Sequence, residues 1–225
     1  ARIYRIPEHF IHTVGNPDLV GFGLHEKDLG SWLASDRETS SEIIYVDTAL
    51  IEAGFVFANQ GEFIRHLIDT HTALERQGFH LVVKLHPAHY STGVPERLKR
   101  LGIALCSKED FVLRLQGAQA ALVEPSTAAL IPGLLGVPLL MAGYGKLADQ
   151  RYGTVLTSYP MSAFVRDLTE VGSLVETLRK GVSRDDMTAW IKKNSGPLPA
   201  EDMPHRVAKV IEGICRMPGE VRRNA

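Results

Sequence analysis

Residues 120–142 read AALVEPSTAALIPGLLGVPLLMA, and the order of residue types in this stretch decides the fold. Ala120–Val123 is a short run with no polar alternation, the mark of a strand buried on both faces of a parallel sheet. Glu124-Pro125 ends it, because proline has no N–H to give to a ladder. Ser126 then offers N-cap chemistry to a helix running to Leu135, closed by Gly136. Pro138–Ala142 is a second apolar strand. Strand, helix and strand follow each other here with almost no spare residues.

The same alternation extends outward. Glu42–Val46 (EIIYV) reads as a buried strand followed by Asp47 and Thr48. Gln60–Gln77 places Phe63, Leu67, Ile68 and Leu74 at helical spacing, with Gly78 as a cap. Phe79–Leu85 is the next strand, stopping at His86-Pro87. Beyond it lie a short helix over 95–101, a strand over 103–106 and a helix over 109–116. After Ala142, a further strand is expected over 153–156, then helices over 169–180, 184–194 and 203–216. Residues 1–40, interrupted by prolines and glycines, read as an irregular lead-in or interdomain linker with a short helix near 26–34. The expected organisation is one Rossmann-like α/β domain over 41–196, a three-layer arrangement with a parallel sheet, and a helical tail over 197–225.

Composition narrows the function classes. Among 225 residues, 25 basic side chains face 26 acidic ones, a net charge of −1, whereas a nucleic-acid binder usually carries a basic excess. Two cysteines, Cys106 and Cys215, make no disulfide framework, so a reducing, cytoplasmic setting is the natural reading. The most apolar stretch, 128–143, is cut by Pro132, Pro138 and several glycines, and reads as buried core rather than a membrane span. The chain opens without a methionine and reads as part of something longer.

In open α/β sheets the ligand sits beyond the carboxyl ends of the strands. The polar groups found there are Asp47 and Thr48, then His86, Pro87 and His89, then Glu124, Pro125, Ser126 and Thr127, and finally Gly143, Tyr144, Gly145 and Lys146. Each has a bland reading. His86-Pro87 can be a strand terminator, and Ser126-Thr127 a helix cap. The functional reading is that an imidazole aimed by Pro87, and hydroxyls beside free backbone N–H groups, form a phosphate site. Their co-occurrence on different strand ends favours the second. The run 143–148 matches G-x-G-x-x-A but lies far from the first βα turn, so it reads as a flexible loop over the site rather than a dinucleotide motif. No histidine group has metal-ligand spacing, and neither a metal nor a cofactor is expected.

The segments IIYVDTALIEAG (43–54), VVKLHPAHY (82–90) and VEPSTAALIPGLLGVPLL (123–140), with VGNPDL (14–19) ahead of them, resemble the C-terminal half of bacterial GT-B glycosyltransferases. The nearest groups are those with an HP motif and a downstream Ser/Thr motif: sialyl- and polysialyltransferases, capsule Kdo transferases and CDP-glycerol glycerophosphotransferases. The resemblance implies that this half holds a CMP-, CDP- or UDP-linked donor for cell-surface polysaccharide synthesis. It makes His86 the candidate catalytic residue, stabilising or protonating the leaving phosphate. Asp47, Thr48, Lys84, Pro87, Glu124, Ser126, Thr127 and Tyr144 are the candidate donor-binding residues.

The sequence departs from the GT-B pattern at Ile131, where many such enzymes carry an acid five positions before the glycine of G-x-P. That leaves ribose recognition to Glu124 or to another group. The resemblance further implies an N-terminal acceptor-binding domain as partner, supplying the acceptor-activating base, since two Rossmann-like domains need on the order of 300 residues. It implies a glycan or lipid-linked acceptor and a place at the inner face of the membrane, near which the basic Arg216, Arg222 and Arg223 can lie. The alternatives are a sugar-nucleotide 2-epimerase, which should show more acids and an arginine around the diphosphate, and a non-catalytic nucleotide-binding module.

Overall fold

Both faces of every central strand are apolar, so the chain must cover its sheet twice. The computed structural model describes residues 11–33, 40–51 and 56–215. Six strands form one sheet: β1 (Glu42–Val46), β2 (His80–Lys84), β3 (Ala104–Leu105), β4 (Ala120–Val123), β5 (Leu139–Ala142) and β6 (Ser162–Val165). All neighbours are parallel, in the order β3-β2-β1-β4-β5-β6. The chain walks outward from β1 to β3, then returns to the other side of β1 and walks outward again. The reversal falls between β1 and β4. This is a Rossmann-like α/β fold.

Alternation along the strands sorts the core into two layers. Ile44 and Val46 of β1 join Val82, Ala121, Val123 and Met141 on one face. There they meet α1 (Pro17–Gly21), α4 (Phe111–Gly117), α5 (Leu130–Leu135), α6 (Thr154–Thr157) and α8 (Arg184–Asn194). Ile43 and Tyr45 turn to the other face with Leu81, Val83, Leu122 and Leu140. That face is covered by α2 (Gln60–Glu75), α3 (Val94–Arg100) and α7 (Val171–Lys180). A last helix, α9 (Met203–Cys215), has no fully buried residue. Among the described residues, no helix is long and apolar enough to cross a membrane.

The segment before β1 packs onto the first layer. Leu19 and Leu24 are buried there, and Gly30 and Trp32 donate their N–H groups to the carbonyls of Leu134 and Leu135. Those carbonyls belong to the last turn of α5, which has no intrahelical donors for them. Arg206 of α9 ties the same segment to the tail, donating to the carbonyls of Val14, Pro197 and Pro199.

Three expected elements differ. Residues 153–156 form no strand: Gly153 precedes the helical turn of α6, and the sixth strand is Ser162–Val165. That edge strand is only partly buried, so its sequence lacks the continuous apolar run that marks β1 and β4. Residues 26–28 form a single 3-10 turn rather than a helix to 34, and residue 34 lies outside the described residues. The third strand shrinks to two residues. The basic residues Arg216, Arg222 and Arg223 also lie outside the described residues.

Gly136 adopts φ +90°, and a Cβ there would sit 2.9 Å from Leu33 Cγ. Gly136→Ala combines a left-handed backbone with that contact. It is expected to destabilise the fold by roughly 1–3 kcal/mol, read as a lower urea midpoint; an unchanged midpoint would mean that the segment over α5 is not held as described.

Candidate functional site

Strands β2, β1 and β4 are in register at their carboxyl ends. The ladder continues past them, Asp47 N–H donating to Lys84 C=O and Glu124 N–H to Val46 C=O. The residues that follow therefore emerge side by side and line a cleft of about 450 Å³ at the reversal of strand order. Asp47 and Thr48 come from β1, Lys84, His86 and Pro87 from β2, and Ser126 and Thr127 from β4.

Asp47 is buried and fully engaged. Its Oδ1 accepts from Ala49 N–H at 2.8 Å, closing a turn in which Ala49 takes φ +58°. Its Oδ2 accepts from His86 N–H at 2.8 Å and lies 3.2 Å from His89 Nε2. One carboxylate thus locks the end of β1 to the His-Pro turn. His86 Nδ1 accepts from Ala88 N–H at 3.3 Å, which leaves Nε2 as the protonated, donating nitrogen of the neutral ring.

Two cations line the cleft beside aromatic rings. Lys84 Nζ lies 5.5 Å from the centre of the Phe22 ring and 5.6 Å from that of Phe111. Lys108 Nζ is 5.9 Å from Phe22. Burial pushes the Lys84 ammonium below its ordinary pKa, and the charge of Asp47 opposes that shift. The Ser126–Ala128 loop completes the cleft. Ser126 does not cap a helix directly as expected: α5 starts four residues later, and Ser126 Oγ accepts from Ala129 N–H at 3.2 Å. Pro125 leads into an open turn instead. In that turn the N–H groups of Ser126, Thr127 and Ala128 have no acceptor among the described residues.

Glu124 lies beneath the cleft, not in it. Its side chain is wholly buried, and its oxygens accept from Tyr45 Oη at 2.6 Å, Thr48 N–H at 2.9 Å and Thr48 Oγ1 at 2.7 Å. It presents no exposed oxygen to the cleft. Burial, then the charge of Asp47, pushes its pKa up to about 7 against those donated bonds. The network continues inward. Tyr45 Oη is 3.1 Å from His66 Nε2, and burial pushes the His66 pKa down to about 4. Tyr144 is also out of the cleft. It stacks on His66 with ring centres 5.1 Å apart, and its hydroxyl bonds Thr70. The loop around it is anchored by buried Leu147, not spread over the site.

Among the lining residues that escaped the reading of strand ends, four carry a charge or an aromatic ring: Asp18, Phe22, Tyr90 and Lys108. Lys108 follows the two-residue β3, and the strand-end filter would have reached it had the third strand been included. Tyr90 follows the His-Pro turn. Asp18 and Phe22 arrive from α1 and its C-terminal edge, where no periodic pattern announces them. A second, mostly apolar cleft of about 620 Å³ adjoins the first across Asp18, Ser126 and Thr127. Among the described residues, no group of three or more His, Cys, Asp or Glu side chains is placed to hold a metal ion. The cleft is thus a set of aimed donors and cations, chemistry suited to an anion.

No family model and no curated protein matches this sequence. Among solved structures, the chain is similar to the UDP-GlcNAc 2-epimerase of Methanocaldococcus jannaschii, solved in complex with UDP-GlcNAc and UDP. The TM-score is 0.51 at 14% identity, over 92% of this chain and 56% of that one. The likeness shows the fold, and this chain spans little more than half the length of that protein.

Glu124 and His66 pull stability in opposite directions with pH. The folded Glu124 binds its proton more tightly than the unfolded one, so its contribution falls as pH rises from about 4.5 to about 7. The folded His66 binds its proton less tightly, so its contribution is full above pH 6.5 and is lost as pH falls towards 4. Glu124→Gln should remove the first effect and leave a stability that climbs with pH through the acid range. Urea unfolding across that range reads it; parallel curves for wild type and variant would contradict the assignment.

Proposed function

We propose that the cleft binds the diphosphate of a nucleotide sugar. In this reading the chain is the donor-binding domain of a glycosyl or glycerol-phosphate transferase for cell-surface polysaccharide. The observation that carries the proposal is the convergence, at the reversal of strand order, of Lys84, Lys108, the Nε2–H of His86 and three unengaged N–H groups of the Ser126 loop. A diphosphate offers several acceptor oxygens and multiple negative charge, and these groups supply donors and cations from the ends of three strands. The similar epimerase was solved with UDP-GlcNAc and UDP, which supports a nucleotide sugar as the ligand class.

In glycosyl transfer the sugar C–O bond breaks and the nucleoside diphosphate leaves. In glycerol-phosphate transfer a P–O bond of the diphosphate breaks and a nucleoside monophosphate leaves. In both, negative charge grows on the departing phosphate oxygen. His86, held through its own backbone by Asp47, meets that charge with a hydrogen bond already aimed. With Nδ1 taken up by the Ala88 N–H, the ring acts here as a hydrogen-bond donor; to protonate the leaving phosphate it would first have to gain a proton on Nδ1 and give up that bond. Activation of an acceptor hydroxyl needs a base: Asp47 is engaged by two backbone N–H groups and Glu124 is buried, which leaves Asp18 at the edge of the cleft. In this reading the acceptor comes from a second domain that closes over this one and supplies the base.

A 2-epimerase is the second reading, favoured by the similar structure. The cleft speaks against it, since no arginine lines it and Asp18 is its only carboxylate without a hydrogen-bonding or ion-pair partner among the described residues.

Calorimetric titration with CMP, CDP and UDP tests the proposal. One of them should bind, and His86→Ala should weaken it at least tenfold, about 1.4 kcal/mol. Silence from all three, or binding indifferent to His86, would count against a donor site and for a non-catalytic module.

A further inference from the structure

The floor of the cleft holds an arrangement that has two complete hydrogen-bonding states. Thr48 lines the cleft, and its hydroxyl and N–H both reach Glu124 Oε2, at 2.7 and 2.9 Å. With Glu124 ionised, the Thr48 proton points down to the carboxylate, and the hydroxyl presents only lone pairs upward. That state repels an anion twice, through an acceptor in the cleft and through a negative charge beneath it. With one proton taken from solvent onto Oε2, the acid O–H donates to Thr48 Oγ1. Oε2 still accepts the Thr48 N–H, and Oε1 still accepts from Tyr45 Oη. No partner is lost. The Thr48 proton is released to turn into the cleft as a donor.

Resting on the nucleotide-sugar reading above, we propose that Glu124 is a proton-linked positioning residue: anion binding in the cleft loads one proton onto it and converts Thr48 from acceptor to donor. The groups around the carboxyl fit this role. Asp47, at the end of the neighbouring β1, adds a negative charge nearby, while Tyr45, Tyr144 and Tyr152 are all held protonated by burial. His66, behind Tyr45, is kept neutral by burial, and Lys84 answers Asp47 rather than Glu124. Among the described residues, no cation is among the groups that shift Glu124 most. An incoming diphosphate adds negative charge above it and shifts it further towards the acid. The direction of linkage follows: binding takes up a proton, and affinity falls as pH rises through the range in which the free carboxyl ionises.

The test is calorimetry with UDP at pH 6 and pH 8, either side of the value of about 7, in two buffers of different ionisation enthalpy. Wild type and Glu124→Gln are compared, so that protons taken up by UDP itself or by His86 cancel. The wild type should take up more protons per UDP than the variant at pH 8, and its affinity should fall several-fold more between the two pH values. Infrared difference spectra of the wild type give a second readout independent of any variant: UDP at pH 8 should raise the C=O stretch of a buried carboxylic acid. UDP binding with equal proton uptake in both proteins, or with no new acid band, overturns this inference and leaves the donor site standing. Where CMP or CDP rather than UDP binds, the same comparison is made with that nucleotide; failure of all three to bind at either pH overturns both.

Discussion

A carboxylate with no solvent around it must be answered by donors or lose its charge. Glu124 is placed where that demand organises the molecule. It stands at the end of β4 and takes its bonds from Tyr45 and Thr48 on β1, so it staples the two strands between which the order reverses. Helices on both faces leave that rim open, and a cleft there needs a rigid polar floor. The staple supplies it, with Tyr45 in turn backed by His66 and the aromatic packing of Phe57 and Tyr144.

Asp47 plays the matching part on the other side of β1. By accepting from His86 N–H and lying against His89, it fixes the His-Pro turn to the sheet rather than to a ligand. The two acids of the rim are therefore committed to building the site, and the groups turned toward its interior are chiefly donors and cations. Preorganised donors of this kind hold charge without rearranging when it develops. In the proposed reading, such a site serves departure of a phosphate, and a second domain brings the acceptor.

How much of this was legible in the sequence depends on burial. EIIYV and AALV are apolar at every position, and both strands lie where those runs predict them. SAFV of β6 is half-exposed on an edge, so its composition carries no such mark, and the nearby Gly-Thr-Val-Leu run read as a strand became a turn of helix. The strand-end rule led to Asp47, Thr48, His86, Pro87, Ser126 and Thr127, because a parallel sheet brings its carboxyl ends together whatever the loops do. The rule could not tell depth. Glu124 and Tyr144 also follow strands, yet both side chains turn into the core, since each finds its partners there in residues far away in sequence. Asp18 and Phe22 reach the cleft through tertiary packing of α1, which no local pattern encodes.

The claim on which the whole account rests is that the Ser126–Ala128 turn receives an anion. Backbone amide NMR with inorganic pyrophosphate reads it directly. The account predicts saturable shifts of the Ser126, Thr127 and Ala128 N–H signals, larger than any elsewhere in the chain. Shifts scattered over surface lysines, with those three amides unmoved, would contradict it.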